Sequence, residues 1–152
     1  MGENAVKKTL LYRLFKIGRI PSRLRAALES EGFVVVDEGI PGAVLTRDFK
    51  APGKRFRRRR AGFTGFLALT RKRMVGYAYG RRLLHVPFDS PRLRDLDVKL
   101  IGPDRLEIAF EASDFQDRMS GRVRLRFTTP RAGEFLEALA ASRGIAGVEP
   151  HA

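Results

Sequence analysis

Hydrophobic and polar residues alternate along much of the chain with the two-residue period of half-buried strands. The clearest alternating runs lie in the second half of the sequence, at residues 96–100, 106–111 and 122–127. Before them, a meander is indicated by apolar segments joined through short turns, with strands at 66–70, 74–79 and 83–88 and turns at 71–72 and 80–81. Turns of two or three residues favour antiparallel hairpins.

The region after residue 32 has a less regular strand pattern. Residues 33–36 and 43–45 are two apolar strand candidates, and Ile40-Pro41-Gly42 separates them. A turn is predicted at 50–53, where Pro52 precedes Gly53. The sequence therefore predicts two short strands before this turn.

Residues 55–70 form a stretch that is too long for one flat strand. Its first part is basic and its second part, 66–69, is apolar. Gly62 and Gly65 lie between the two parts, so we expect them to mark a bulge or a bend. With this stretch included, the chain is expected to form about seven antiparallel strands.

Three segments have helical spacing. Apolar residues recur every three or four positions in 6–17, and a second short helix is predicted over 22–31, with Gly32 ending it. Thr129 and Pro130 are suited to begin a C-terminal helix, and Gly144 is suited to end it. Its inward stripe would be Ala132, Phe135, Leu136 and Leu139.

This order predicts a mainly β (α+β) fold rather than alternating βαβ units. An antiparallel sheet would be closed or half-closed by the C-terminal helix. The expected organisation is a helical N-terminal extension at 1–32, a β domain at 33–145 and a tail at 146–152. A chain of 152 residues is long enough for one sizeable core.

Composition narrows the functional classes. The sequence contains no cysteine, which excludes disulfide scaffolds and thiolate chemistry. It has no apolar run of the length that crosses a bilayer, and Arg13 and Lys16 interrupt the pattern of a secretory signal. We therefore expect a cytoplasmic protein, with peripheral contact to the inner membrane surface as the alternative.

Charge is unevenly distributed along the chain. The net charge is +13, and residues 1–82 carry 20 basic and 6 acidic residues, whereas residues 83–152 carry 10 and 11. The densest run is 54–60, with six basic residues in seven, and arginine outnumbers lysine 23 to 7. Arginine suits bidentate contacts to phosphate or carboxylate, although a genome of high GC content also raises the arginine share.

Several motifs resemble those of bacterial pleckstrin-homology-like and GRAM-like domains. Gly65 through Arg73 matches their "G-x-L-x-L-T-x-x-R" strand-turn-strand, and Val86-Pro87-Phe88 matches their "I-P/V-P" strand. The likeness covers about residues 62–142. It implies a bent sheet or partial barrel of seven strands capped by the C-terminal helix. Relatives with this fold often bind phosphoinositides or peptides near the first hairpin, where this chain has Lys50, Lys54, Arg57 and Arg59.

The basic run is the leading candidate for a binding site. In an extended strand Arg57 and Arg59 point to one face and Arg58 and Arg60 to the other. The predicted anion-binding residues are Lys50, Lys54, Arg55, Arg57, Arg58, Arg59, Arg60, Arg71, Lys72 and Arg73, with an auxiliary basic helix face at Lys8, Lys16 and Arg19. The alternative interpretation is a solvated strand edge that its charge protects from aggregation, and helix 6–17 could dock on the sheet instead.

The preferred hypothesis is a non-enzymatic module that binds phospholipid headgroups or an acidic protein. Nucleic acid is a rival partner, because Phe56, Phe63 and Phe66 interleave with the basic region and could stack on bases or enter the core. A homo-oligomeric scaffold is a third hypothesis. No cofactor or small-molecule substrate is predicted.

Other charged residues have simpler interpretations. Arg122, Arg124 and Arg126 are expected to form cross-strand ion pairs on the exposed face of the meander, with Glu107, Glu111, Asp95 and Asp97 as partners. Asp89, Asp95 and Asp97 are expected to be turn and surface residues rather than metal ligands. His85 and His151 lack the partners of a catalytic site.

Overall fold

A computed structural model describes residues 19–79, 81–114 and 118–147, with side chains up to Ser142. The predicted helix 6–17, with Lys8 and Lys16, and residues 148–152 of the predicted tail at 146–152 lie outside these ranges. In chain order the elements are α1 (Ser22–Glu31), β1 (Phe33–Ala51), β2 (Lys54–Thr70), β3 (Arg73–Ala78), β4 (Arg81–Pro87), β5 (Asp97–Gly102), β6 (Arg105–Glu111), β7 (Ser120–Thr128) and α2 (Ala132–Gly147). Short 3₁₀ helices occupy Pro91–Asp95 and Ala112–Asp114.

The seven strands form one open antiparallel sheet in the order β4-β3-β2-β1-β7-β6-β5. The prediction of a mainly β fold with a C-terminal helix is therefore confirmed. The sheet bends, so that Leu84 of β4 and Phe110 of β6 line the same cleft on its inner face. β1 lies at the centre and connects the two halves of the sheet.

The first two strands differ from the prediction. β1 is continuous over 19 residues, whereas the sequence suggested two runs separated by residues 40–42. Its register against β2 shifts between Glu38 and Ile40, where Gly39 has a φ of +67°. This bulge lets one long strand bend without breaking.

β2 is also continuous, over 17 residues, and its pairing shows no extra residue at Gly62 or Gly65, so the bulge predicted there is wrong. Gly65 is required for a different reason. A Cβ at this position would lie 1.8 Å from the carbonyl oxygen of Tyr77 on β3. The glycine therefore permits close approach of two strands, and the irregularity of the hairpin lies on β1 instead.

The main core lies on the inner face of the sheet, beneath α2. Leu67 and Leu69 of β2 pack there with Phe127 of β7 and with Phe135 and Leu139 of α2. Thr129 lies just before α2, where its hydroxyl accepts a hydrogen bond from the Arg131 amide at 3.1 Å and donates one to Asp37 at 2.6 Å. The helix begins at Ala132, two residues after the predicted start at Pro130. The helix extends to Gly147, so the predicted end at Gly144 is wrong.

α1 covers the outer face of β2 and β3. Leu28 and Ile20 pack on Phe66, Ala68 and Val75, which form a second buried cluster. The predicted helix over 22–31 is confirmed, with Gly32 at its end in a positive-φ conformation of +89°. The two helices therefore lie on opposite faces of the same part of the sheet.

Two positions break the predicted alternation of the later strands. Glu107 was expected to face water, but it is only 3% exposed. Its carboxylate accepts a hydrogen bond from Arg126 at 2.9 Å. Leu100 was expected to be inside and is 40% exposed on the edge strand β5. An ion-paired acid can be buried because its partner replaces water.

Candidate anion-binding site

The basic half of β2 forms an open edge of the sheet. β3 pairs with β2 only between Gly65 and Leu69, and no strand in the described ranges pairs with residues 54–64 on that side. The charged residues of the run at 54–60 are all exposed, and Phe56 is half-buried. Their charges are therefore accessible to a partner from the edge and from both faces.

Cross-strand register places part of this run beside other arginines. Arg47 of β1 pairs with Arg58 on one side and with Arg122 of β7 on the other. Leu45 likewise lies between Arg60 and Arg124. Residues directly opposite each other in an antiparallel sheet point to the same face. Arg58 and Arg60 have the same strand parity as the outer-face residues Phe66 and Ala68, so this set lies on the outer face.

Acidic neighbours neutralise only some of these arginines. Arg122 lies 3.6 Å from Asp97 and 3.8 Å from Glu111, and Arg126 bonds Glu107. The predicted ladder of cross-strand ion pairs is therefore confirmed for these two arginines. Among the described residues, neither Asp95 nor Arg124 forms an ion pair of this ladder.

The remaining set consists of four arginines with no acidic partner among the described residues. We call this set the arginine face, and its members are Arg47, Arg58, Arg60 and Arg124. They line a shallow depression of about 380 Å³ together with Leu45, Thr46 and Arg59. Several guanidinium groups around one depression suit an oxyanion that bonds more than one of them at once.

Arg59 alternates with Arg58 and Arg60 along β2, and it also lines the depression of the arginine face. It pairs with Thr46, whose neighbour on β7 is the buried Val123. Its guanidinium carbon lies 4.6 Å from the centre of the Phe56 ring, and that ring stacks on Phe49 at 6.2 Å. A cation held over an aromatic ring has a more restricted position than a free surface arginine.

The other predicted basic residues of the hairpin lie near its tip. Lys50 pairs with Arg55, and Lys54 pairs with Ala51. Lys50, Arg55 and Arg57 line a second depression of about 430 Å³. These residues extend the positive surface beyond the arginine face.

Arg71, Lys72 and Arg73 do not join this surface. They lie at the opposite end of β2, which at about 3.3 Å per residue is roughly 50 Å long. Arg73 bonds Glu31 at 2.8 Å, and the Arg71 amide donates to the Gly32 carbonyl at 3.1 Å. The sequence grouped 71–73 with 50–60 as anion-binding residues, but the two segments lie at opposite ends of β2. Arg19 is also distant from the basic run. It is exposed and precedes Ile20, which is buried in the cluster beneath α1.

The contacts at this end of the sheet explain the behaviour of two titratable groups. Burial, then the charges of Arg73 and Arg82, lower the pKa of His85, and its Nε2 lies 3.2 Å from an Arg73 nitrogen. Burial alone would raise the pKa of Glu31, but hydrogen bonds from Arg73 and Thr70 outweigh it, and the net pKa is lowered. Arg73, Glu31 and His85 thus form a structural network between α1 and the sheet.

The sequence identified the arginines of β2 but missed Arg47 and Arg124. Their membership depends on register, and each is separated along the chain from the basic run. Of the three rings considered for stacking on bases, Phe63 and Phe66 are buried, and Phe56 is partly accessible.

No protein-family model matches the chain, and a search of curated proteins finds no significant match. In the described ranges, none of the helices is both long and apolar enough to cross a membrane.

Proposed function

We propose that the protein is a non-enzymatic binding module that contacts an anionic phospholipid surface through the arginine face. The observation that carries this proposal is the group of four outer-face arginines without acidic partners among the described residues. Charged rows of this kind are costly to a sheet, because like charges directly opposite each other are destabilising. Phosphate groups would relieve that repulsion.

The expected affinity is low. A basic residue near an anionic membrane contributes about 1 kcal/mol, so the arginine face supplies about 4 kcal/mol, equivalent to a Kd of about 1 mM. Lys50, Lys54 and Arg55 at the hairpin tip add to this value. The resulting contact is reversible and depends on ionic strength.

A pleckstrin-homology-like fold is part of the proposal. The sheet order, the position of α2 on the inner face and the motif from Gly65 to Arg73 support it. In such a fold the first hairpin is a common ligand site. Here that hairpin consists of β1 and β2, the two strands that carry three of the four arginines.

Vesicle sedimentation tests the proposal. We expect the protein to sediment with vesicles that contain phosphatidylserine and to remain in solution with pure phosphatidylcholine. Replacing Arg57 through Arg60 with Ser should abolish sedimentation, and added salt should weaken it. Equal binding to both vesicles, or binding that is unchanged in the variant, would contradict the proposal.

Nucleic acid is a second candidate, favoured by the half-buried Phe56 ring beside Arg59. If about four phosphates are neutralised, affinity should fall roughly hundredfold between about 50 and 200 mM salt. A filter-binding series with single-stranded oligonucleotides measures this slope. A flat plot of log K against log salt excludes this candidate.

A further inference from the structure

The inner face of the sheet has a cleft that α2 does not cover. It has a volume of about 510 Å³, within the usual range of small-molecule sites. It lies between the second half of β1, the first halves of β4 and β7 and the end of β6. Its lining is mainly apolar and consists of Val44, Thr46, Phe49, Arg82, Leu83, Leu84, His85, Phe110, Ala112, Met119, Val123 and Leu125.

One polar atom in this lining lacks a partner. The Thr46 hydroxyl oxygen is buried and has no hydrogen bond among the described residues. Buried side-chain oxygens are nearly always bonded, so this hydroxyl would gain a bond if a ligand in the cleft reached it. The rest of the lining would exclude a strongly hydrated ligand.

A positive charge lies next in register to the cleft, although it is not part of the lining. Arg59 is the cross-strand neighbour of Thr46 on β2. Its position over Phe56 is linked to the cleft, because Phe56 stacks on Phe49 and Phe49 is a lining residue. A ligand that fills the cleft and emerges near Thr46 would therefore meet a positive charge at the rim.

We propose that this cleft binds the single acyl chain of an anionic amphiphile. The chain occupies the apolar lining, the Thr46 hydroxyl donates a hydrogen bond to the head, and Arg59 pairs with its negative charge. A methylene group is similar in size to a water molecule, about 30 Å³, so a chain of roughly twelve to sixteen carbons fits. The cleft is on the inner face, and Thr46 and Arg59 also line the depression of the arginine face, so the two proposed sites adjoin at these residues.

Calorimetric titration tests this proposal with three probes below their micellar concentrations. These are dodecanoate, lysophosphatidylglycerol and the uncharged glycerol ester of dodecanoic acid. We expect at least one anionic probe to bind at least tenfold more tightly than the uncharged ester. Binding of dodecanoate indicates a free fatty acid as the source of the ligand, and binding of lysophosphatidylglycerol alone indicates a membrane lipid.

Variants locate the site. Met119→Trp should fill the cleft and reduce binding at least tenfold, and Val44→Phe serves the same purpose if the first variant does not fold. Arg59→Ser should remove the preference for the anionic head, whereas the matched control Arg23→Ser on α1 should retain it. Lack of binding by any probe, or full binding in both cleft-filling variants, would overturn the proposal.

The same variants separate this site from the proposed surface contact. Met119→Trp leaves the outer arginines in place, so its sedimentation with phosphatidylserine vesicles should match that of the unchanged protein. Failure of the surface contact alone would appear as normal amphiphile binding without sedimentation.

Discussion

Glu31 connects the end of α1 to the turn between β2 and β3. It accepts hydrogen bonds from the Thr70 hydroxyl at 2.8 Å and from Arg73 at 3.1 Å, and it forms an ion pair with Arg73 at 2.8 Å. Although burial opposes ionisation, these bonds hold the pKa of Glu31 below its ordinary value of 4.5. The network therefore adds stability above that value, and the contribution is lost as pH falls through the lowered pKa.

Glu31→Gln should lower the free energy of unfolding at pH 7, by about 1.5–3 kcal/mol. The difference from the unchanged protein should narrow in acid, because the native carboxylate is then protonated too. Urea denaturation at neutral and acidic pH measures both values. The control Glu29→Gln removes an exposed helix pair at 3.8 Å and should cost under about 0.5 kcal/mol. An equal loss for Glu31→Gln at both pH values would exclude an ionic cause.

Gly65 is the position where a single added carbon should have the largest effect. Its Cβ would overlap the Tyr77 carbonyl, and a clash with backbone cannot be relieved by a rotamer change. We expect Gly65→Ala to destabilise the protein by about 1–3 kcal/mol. Gly133→Ala is the control, since nothing lies within 4 Å of its Cβ position and alanine favours a helix by up to about 1 kcal/mol. Similar melting temperatures for the two variants would contradict the close approach.

At the scale of the elements, β1 has a different role on each face. Arg47 faces Arg58 and Arg122 on the outer side, whereas Val44 and Thr46 line the inner cleft. Arg122 has acidic partners, but the repulsion between Arg47 and Arg58 is not offset by an ion pair within the described residues. An uncharged residue in place of Arg47 would therefore make the pairing of β1 with β2 more stable.

Arg47→Thr should therefore stabilise the protein, by about 0.2–1 kcal/mol, while weakening its binding to anionic vesicles. The urea midpoint should rise without a change in the m-value. The control Arg105→Thr removes an arginine that pairs with Thr128 and Gly102, so its midpoint should stay nearly constant. A lower midpoint for Arg47→Thr would show that the row is not repulsive.

The types of the elements could be predicted from sequence because alternation and helix caps are local signals. The continuity of β1 could not, since Ile40-Pro41-Gly42 has the composition of a turn and only the bulge at Gly39 keeps the strand paired. The candidate site was predicted only in part, because a sequence shows local runs of residues but not cross-strand register. Arg58 and Arg60 belong to a local run, whereas Arg47 and Arg124 join them only through register. Burial of Glu107 depends on Arg126, a partner 19 residues away.

At the scale of the whole molecule, the two ends of the sheet differ. One end has α1 and α2 on opposite faces, with the second buried cluster beneath α1, and the main core extends from α2 to the lining of the cleft. The other has the arginine face outside and the apolar cleft inside. The basic residues Arg47, Lys50, those of 54–60 and Arg124 are therefore concentrated at this second end, and we expect that end to orient the protein on an anionic surface.

Vesicle binding by two charge-matched variants tests this claim most directly. One variant replaces Arg58, Arg60 and Arg124 with Ser, and the other replaces Arg71, Lys72 and Arg105, so each removes three positive charges. At about 1 kcal/mol per residue, the first should bind phosphatidylserine vesicles roughly hundredfold more weakly, and the second should bind nearly as well as the unchanged protein. Equal losses in the two variants would show that net charge alone, and not the arginine face, determines binding.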